Sequence, residues 1–454
     1  MPYDDTASTT PASGPAAATP QEGTKLRRAI TGPMLFLFVL GDVLGAGIYA
    51  LMGVLAAEVG GATWIPLAVA LGLALLTAGS YAELVTKYPR AGGSAYFAEK
   101  AYKKPVVSFL VGFSMLAAGV VSVAGLSLAF AGDYLSAFVP IAPPVAAIGL
   151  IAVLALVNMW GIRESMAGNI VMTIIEVSGL VLIVVAVGLM LGGGGGDLSR
   201  IGEFPAGVNP ALATLAAAII AYYSFVGFET SANVAEELKN PSRSYPIALL
   251  GSLAVAGVVY VLVAMASAAA LPADELAASS GPLLAVFEAT GVPLPTVIFS
   301  IIALIAIANG ALLTSIMSSR LAYGMADRGL LPHALARVLP GRKTPWVAIV
   351  VTAAIAAVLT LLGDLATLAE TVVLLLLVVF ISTNVAVLVL RRDRVEHRHF
   401  RVWTWVPVAG VLSCILLLTQ QSAQVWLFGA IALAVGLVLY AVMRAIGARA
   451  TVEE

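Results

Sequence analysis

Twelve apolar stretches, each near or above the ~20 residues that a helix needs to cross a bilayer, run through this sequence. They constrain the fold more tightly than any motif does. Hydrocarbon offers the backbone no water, so a stretch of this kind pairs its own N–H and C=O groups as a helix. The rest of the composition follows from that solvent: 60% of the residues are hydrophobic and 11% are charged. A typical soluble domain is about half apolar and a quarter charged, and a soluble chain of this length would need far more polar surface. The mean hydropathy of +1.01 agrees. The expected fold class is an all-α polytopic membrane protein.

The stretches lie at 33–58, 62–87, 105–133, 143–162, 166–192, 209–237, 245–271, 294–320, 345–363, 367–390, 404–420 and 424–446. With the N-terminus inside, all but Arg200 of the 24 Lys and Arg fall on cytoplasmic segments. One miscounted span would scramble that alternation, so the positive-inside rule supports both the orientation and the count. The expectation is a multi-pass protein of the plasma (inner) membrane with both termini cytoplasmic. Residues 1–28 read as a disordered tail, rich in Ala, Pro, Thr and Ser through residue 24. No basic start precedes an apolar core and a cleavage site there, so it does not read as a signal peptide. Residues 448–454 read as a second cytoplasmic tail, and 393–447 hold the last two spans.

Several function classes drop out. A net charge of −1 carries no basic excess for nucleic acid. Cys414 is a lone thiol in an apolar run, so no disulfide scaffold exists. His333, His397 and His399 all fall in polar loops, and no metal or cofactor site is expected. A membrane enzyme would need a nucleophile–base pair or metal cluster in the spans, and the lack of a histidine in any span makes it, like a channel, the weaker alternative. A channel would need a pore ring or selectivity loop, and nothing resembles one.

The first and sixth spans carry the functional signal. The first places Gly41, Gly45 and Gly47 mid-span beside Asp42. Glycine costs ~1 kcal/mol against alanine in a helix, and an ionisable group at membrane depth costs at least ~2.5 kcal/mol. Gly41 and Gly45 also fit a Gly-xxx-Gly packing face, and Asp42 among them favours an opened helix. The sixth span repeats the pattern: Gly227 and Glu229 sit mid-span among Tyr222, Tyr223, Phe225 and Phe228. Phe225 and Phe228, three apart, would share a helix face. Two five-helix halves in inverted topology would make these spans equivalent, and glycine-broken segments at matching positions point to a transporter's binding site. A half-helix N-terminus attracts a carboxylate, while unwound carbonyls attract an ammonium. One site with both suits an amino acid.

At these residues the chain resembles the amino acid–polyamine–organocation superfamily of transporters. The resemblance rests on Gly45-Ala-Gly-Ile-Tyr49, on Phe225-Val-Gly-Phe-Glu229 with Glu236 through Pro246, on Tyr88 through Ser94, and on Ser319 through Pro332. These motifs fall in order within about residues 30–390. The resemblance implies a LeuT-type five-plus-five inverted repeat, with residues 29–192 and 209–392 as the halves and 193–208 as an external loop. It implies alternating access, with backbone N–H groups of Ala46, Gly47 and Ile48 meeting the substrate carboxylate. Carbonyls of Val43, Tyr223 and Ser224 would meet the ammonium, and Phe225 and Phe228 would close over the ligand at the Gly227 break. The expected function is secondary active transport of an amino acid, proton-coupled or by exchange. A polyamine or other organic amine is the alternative substrate.

One departure matters. Many family members carry a lysine in the fifth span where this chain reads Asn169-Ile-Val-Met-Thr173-Ile-Ile-Glu176. Asp42 and Glu176 are the candidates for proton coupling or for attracting a cation. Glu229 is expected to stabilise the start of the second half-helix, and Glu83 to pair with Lys87 at the end of its helix. Asn309, Ser382, Thr383 and Asn384 are polar at depth and would line the pocket or bond between helices.

Overall fold

The computed structural model describes residues 30–44, 47–90, 92–160, 166–340, 342 and 344–446, with the side chains of 166–169 left aside. Both tails, Gly45, Ala46 and the side chain of Asn169 therefore lie outside the described residues. Among those described, the protein is helical, and ten segments are long and apolar enough to cross a membrane.

The first span comprises α1 (Gly32–Leu44) and α2 (Gly47–Val59), and the second is α3 (Trp64–Lys87). A short α4 (Gly93–Tyr102) precedes α5 (Pro105–Phe130), the third span, which a one-turn α6 (Asp133–Ser136) follows. The fourth and fifth are α7 (Pro143–Trp160) and α8 (Met166–Gly192). The sixth begins as α9 (Pro210–Tyr223) and continues, after four residues of turn, as a 3-10 helix over Phe228–Glu237. Then come α10 (Pro241–Ala270), the short α11 (Ala273–Ala278) and α12 (Pro282–Ala289), and α13 (Thr296–Asp327) as the eighth span. The ninth to twelfth are α14 (Trp346–Leu359), α15 (Leu365–Leu390), α16 (Trp405–Leu418) and α17 (Ala423–Ala445).

Two expected spans are shorter than the sequence suggests. α14 and α16 have 14 residues each, about 21 Å of helix at 1.5 Å per residue. The apolar residues beyond α14 belong to a turn in which Gly363 N–H donates to Leu359 O at 3.2 Å. Conversely, α13 runs on to Asp327, past the expected end at Arg320, and buries Ala322, Met325 and Ala326 in its last turns.

The first span lies at the centre and the twelfth at the rim: 69% of the former's apolar window is buried, against 17% of the latter's. The packing repeats when every span number is shifted by five. α3 packs on α10, α5 on α13 and α7 on α14. The contact of α5 with α15 has its counterpart in α13 with α8, and that of α3 with α9 in α10 with α1. The short α4 lies on α5, α15 and the 3-10 helix; α12 lies likewise on α13, α8 and α2. An isolated bridge joins the two broken spans: Ile30 N–H donates to Glu237 O at 2.9 Å, and Lys239 N–H donates to Ile30 O at 2.9 Å.

At the end of the bundle rich in Lys and Arg, a buried ion pair ties the second span to the tenth. Arg391 donates through Nε and Nη2 to the two Glu83 oxygens at 2.8 and 2.7 Å, and Val402 N–H donates to Glu83 at 3.0 Å. Glu83 thus pairs with Arg391 and not with Lys87. Lys87 is itself buried and donates to the carbonyls of Leu390 and Asp393, both at 2.6 Å. A planar guanidinium matches a carboxylate in two bonds, whereas an ammonium suits converging carbonyls. Tyr88 donates to Asp393 at 2.5 Å. That bond, with Lys100, Lys87 and Lys103 nearby, holds the Asp393 carboxyl below its usual range. A depressed carboxyl contributes its stability in full above about pH 4 and loses it only as pH falls through the lowered value.

Arg391→Ala should leave Glu83 buried without its counter-charge, at a cost of about 3–5 kcal/mol. The double variant Glu83→Gln/Arg391→Ala should recover part of that loss. Melting temperatures of the purified variants in detergent check both; an unchanged value for Arg391→Ala would remove the pair from the account of stability.

Candidate functional site

The two broken spans cross at their breaks. α1 packs against the 3-10 helix and α2 against α9, so each half of the first span meets one half of the sixth. Glycine makes the crossing possible. A Cβ on Gly47 would sit 2.6 Å from Ser224 Cα. Gly227 holds φ at +123°, and a Cβ there would lie 2.9 Å from the Asp42 carbonyl oxygen. Each break therefore needs a glycine because the other backbone occupies the space a side chain would fill. Gly41 plays a different part, since it packs on Thr173 of α8.

Broken helices leave backbone groups without helical partners, and nearby side chains take up several of them. Glu229 accepts from Gly227 N–H at 3.0 Å, at the head of the 3-10 helix. Thr230 donates its hydroxyl to Asp42, and that hydroxyl lies 2.8 Å from Gly227 O. Tyr260 of α10 sits between the two breaks, its hydroxyl 2.5 Å from Val43 O and 3.0 Å from Ser224 O. One O–H hydrogen is thus shared by two of the three carbonyls expected to face an ammonium. Each oxygen keeps a second lone pair. Above the break, Tyr49 donates to the Glu176 carbonyl and Tyr134 to the Tyr49 carbonyl, both at 2.9 Å.

A cavity of about 490 Å³ starts at this crossing and runs to the basic end of the bundle. Six of the expected site residues line it: Asp42, Val43, Gly47, Tyr223, Ser224 and Gly227. Ala46 lies outside the described residues. Ile48, Phe225, Phe228 and Glu176 are fully buried behind its wall. The two phenylalanines do not share a face. Phe225 packs on Tyr260 at 5.2 Å between ring centroids. Phe228 packs on Phe380 at 5.3 Å and Tyr81 at 5.7 Å. The positive φ of Gly227 between them resets the register, and Val226 lines the cavity instead.

Glu176 accepts from Asn309 Nδ2 at 3.0 Å through Oε1, while its Oε2 has no hydrogen-bond partner. Asn309 is therefore an interhelical ligand of the carboxylate. Asn384 is interhelical too: it accepts from Ser80 at 2.6 Å and donates to Thr77 at 3.2 Å. Among the described residues, no group of three His, Cys, Asp or Glu converges as metal ligands would. Sequence reasoning passed over Tyr260 and Thr230. A tyrosine mid-span and a threonine one residue after a break carboxylate were the available signals.

Beyond the break on the side away from the basic end, aromatic rings fill the interior. Tyr49 meets Tyr134 at 6.5 Å and Phe299 at 6.2 Å, and Phe299 stacks on Phe287 at 5.3 Å. The site is closed on that side and open on the other.

A sequence model of the amino acid permease family matches residues 30–445. Among curated proteins, the chain is 29% identical to the cationic amino acid transporter 9, chloroplastic, of Arabidopsis thaliana, over 73% of this chain and 60% of that one. It thus spans less than two thirds of that relative's length. It is 26% identical to the branched-chain amino acid permease BcaP of Bacillus subtilis, over 91% of this chain and 92% of the relative. It is 28% identical to the methylthioribose transporter of the same organism, over 91% and 93%.

Gly227→Ala should cost about 1–3 kcal/mol for the backbone strain alone, and Gly47→Ala should be comparably damaging through its clash with Ser224. Gly72→Ala, where a Cβ meets nothing within 4 Å, should be neutral or slightly stabilising. Thermal unfolding of the three variants ranks them; equal behaviour of Gly227→Ala and Gly72→Ala would contradict the crossing.

Proposed function

The chain belongs to the amino acid permease family, and we propose that it is a secondary active transporter that moves an amino acid across the plasma membrane by alternating access. The observation that carries this reading is the crossing of two glycine-broken helices at the closed end of a cavity that opens on one side only. The five-shift symmetry of the packing supports a LeuT-type inverted repeat, with residues 29–192 and 209–392 as its halves. Two halves of one architecture inserted in opposite senses can exchange roles, and the exchange moves the opening from one face to the other.

The substrate chemistry follows from the backbone. α2 begins at Gly47, and the backbone N–H groups of Gly47 and Ile48, with that of Ala46 as the family resemblance implies, would receive the substrate carboxylate at the positive end of the helix dipole. The carbonyls of Tyr223, Val43 and Ser224 would receive the ammonium, with the Tyr260 hydroxyl yielding one of the two it shares. Phe225 and Phe228 act from behind the wall, by fixing the backbone around the break. The basic end faces the cytoplasm by the positive-inside rule, which makes the described conformation open to the inside, with both termini there.

Coupling is to protons or to exchange. Asp42 lines the cavity and Glu176 is buried with one oxygen unbonded, and buried carboxylates at membrane depth mark proton or cation pathways. Asp42 stands next to the substrate's ammonium position. Glu176 stands where related carriers often place a lysine, so this chain handles that charge differently. The relatives named for cationic and for branched-chain amino acids support an amino acid as the cargo.

Purified protein in proteoliposomes should take up amino acid saturably and show counterflow when preloaded with unlabelled substrate. Conduction without saturation would indicate a channel and overturn the reading. Glu176→Gln should flatten the dependence of uptake on pH; an unchanged profile would remove Glu176 from coupling while leaving transport in place.

A further inference from the structure

We propose that the transported amino acid carries a neutral, aliphatic side chain, and that the wall contributed by the third, eighth and tenth spans selects it. This rests on the amino acid transport reading above.

Packing contacts place that wall at the level of the breaks. Ser122 of α5 lies 2.9 Å from the Tyr223 hydroxyl, so it stands beside the end of α9. Gly119, one turn closer to the basic end, closes on Ser318 and on Thr314, whose methyl would lie 3.7 Å from a Cβ at Gly119. Gly125, one turn the other way, faces Leu368 and Leu365 of α15. Val372 and Leu376 follow Leu368 by one and two turns and line the cavity. The wall opposite the breaks is therefore made by Ala118, Gly119, Leu313, Thr314, Val372 and Leu376. Its only polar groups are hydroxyls, and Ser122 and Tyr223 already bond each other.

Charges line this cavity elsewhere. Asp42 and Glu229 belong to the first and sixth spans, and each is engaged there, Asp42 by Thr230 and Glu229 by Gly227 N–H. Arg320 lies six residues beyond Thr314, about 9 Å further toward the basic end. A substrate anchored by its carboxylate on α2 and its amine on the break carbonyls would send its side chain onto the opposite wall. A lysine or arginine side chain would lose water there and meet no carboxylate. An acidic side chain would lose water against the same wall, which offers it no cationic partner. A branched aliphatic chain loses nothing in solvation and packs against Ala118, Leu313, Val372 and Leu376.

The test uses the full chain, in detergent for thermal shifts and in proteoliposomes for uptake of labelled leucine. Valine and isoleucine should compete with leucine, with lysine, arginine, glutamate and putrescine weaker by about tenfold or more. Leu313→Asp should reverse the order, gaining lysine and losing leucine. Should that variant fail to fold, Val372→Ala serves: it should raise competition by phenylalanine relative to valine, and an unaltered ranking would overturn the wall's assignment. If lysine, arginine or putrescine matches leucine in the unaltered protein, the aliphatic assignment is wrong and transport stands. If no amino acid is taken up or shifts the melting temperature, the transport reading falls and this inference with it.

Discussion

Everything in this molecule depends on two backbones passing at van der Waals distance in the middle of the membrane. Gly47 lies against Ser224, and Gly227 against Asp42. Lipid punishes any backbone group left unpaired, so a helix opens there only if something else receives its N–H and C=O groups. Here each open helix is the immediate neighbour of the other. The remaining spans are arranged to enclose that crossing, and the first span is accordingly the most buried and the twelfth among the least.

Side-chain hydroxyls complete the enclosure. Tyr260, Tyr49 and Tyr134 each bring an apolar ring into the core and spend the polar tip on a carbonyl of the first, fifth or sixth span. A tyrosine suits this work because its ring packs like phenylalanine while its O–H reaches a partner. The Tyr260 hydroxyl stabilises the break and leaves a lone pair on each of the Val43 and Ser224 carbonyls, so the broken region is ordered by the protein's own groups. Preorganisation of this kind lowers what a ligand must lose on binding.

The sequence made the breaks visible because two independent costs, glycine within a helix and a carboxylate at depth, coincide at Gly41–Gly47 and at Gly227–Glu229. It made the helical class visible through the length of the apolar runs. What it hid were consequences of three-dimensional register. Phe225 and Phe228 are one turn apart on a regular helix, and the positive φ at Gly227 sends them to different neighbours. Glu83 and Arg391 are 308 residues apart, and nothing local to Glu83 distinguishes Arg391 from the nearer Lys87. Tyr260 resembles any aromatic in an apolar run until the carbonyls it serves are seen. The short α14 reads as a longer span because Leu361 and Leu362 in the turn after it look, by composition, like leucines in a helix.

The bridge between Ile30 and Leu238 has a mechanical meaning. It fastens the start of α1 to the end of the 3-10 helix, while Thr230 and Asp42 fasten the same two elements near the breaks. Two fixings at opposite ends of a pair of rods remove their freedom to slide or splay. What remains is a paired unit of α1 and the 3-10 helix, held at both of its ends. Asp42 is one of the two joints between these elements, so a change at that one carboxylate bears on both broken spans at once.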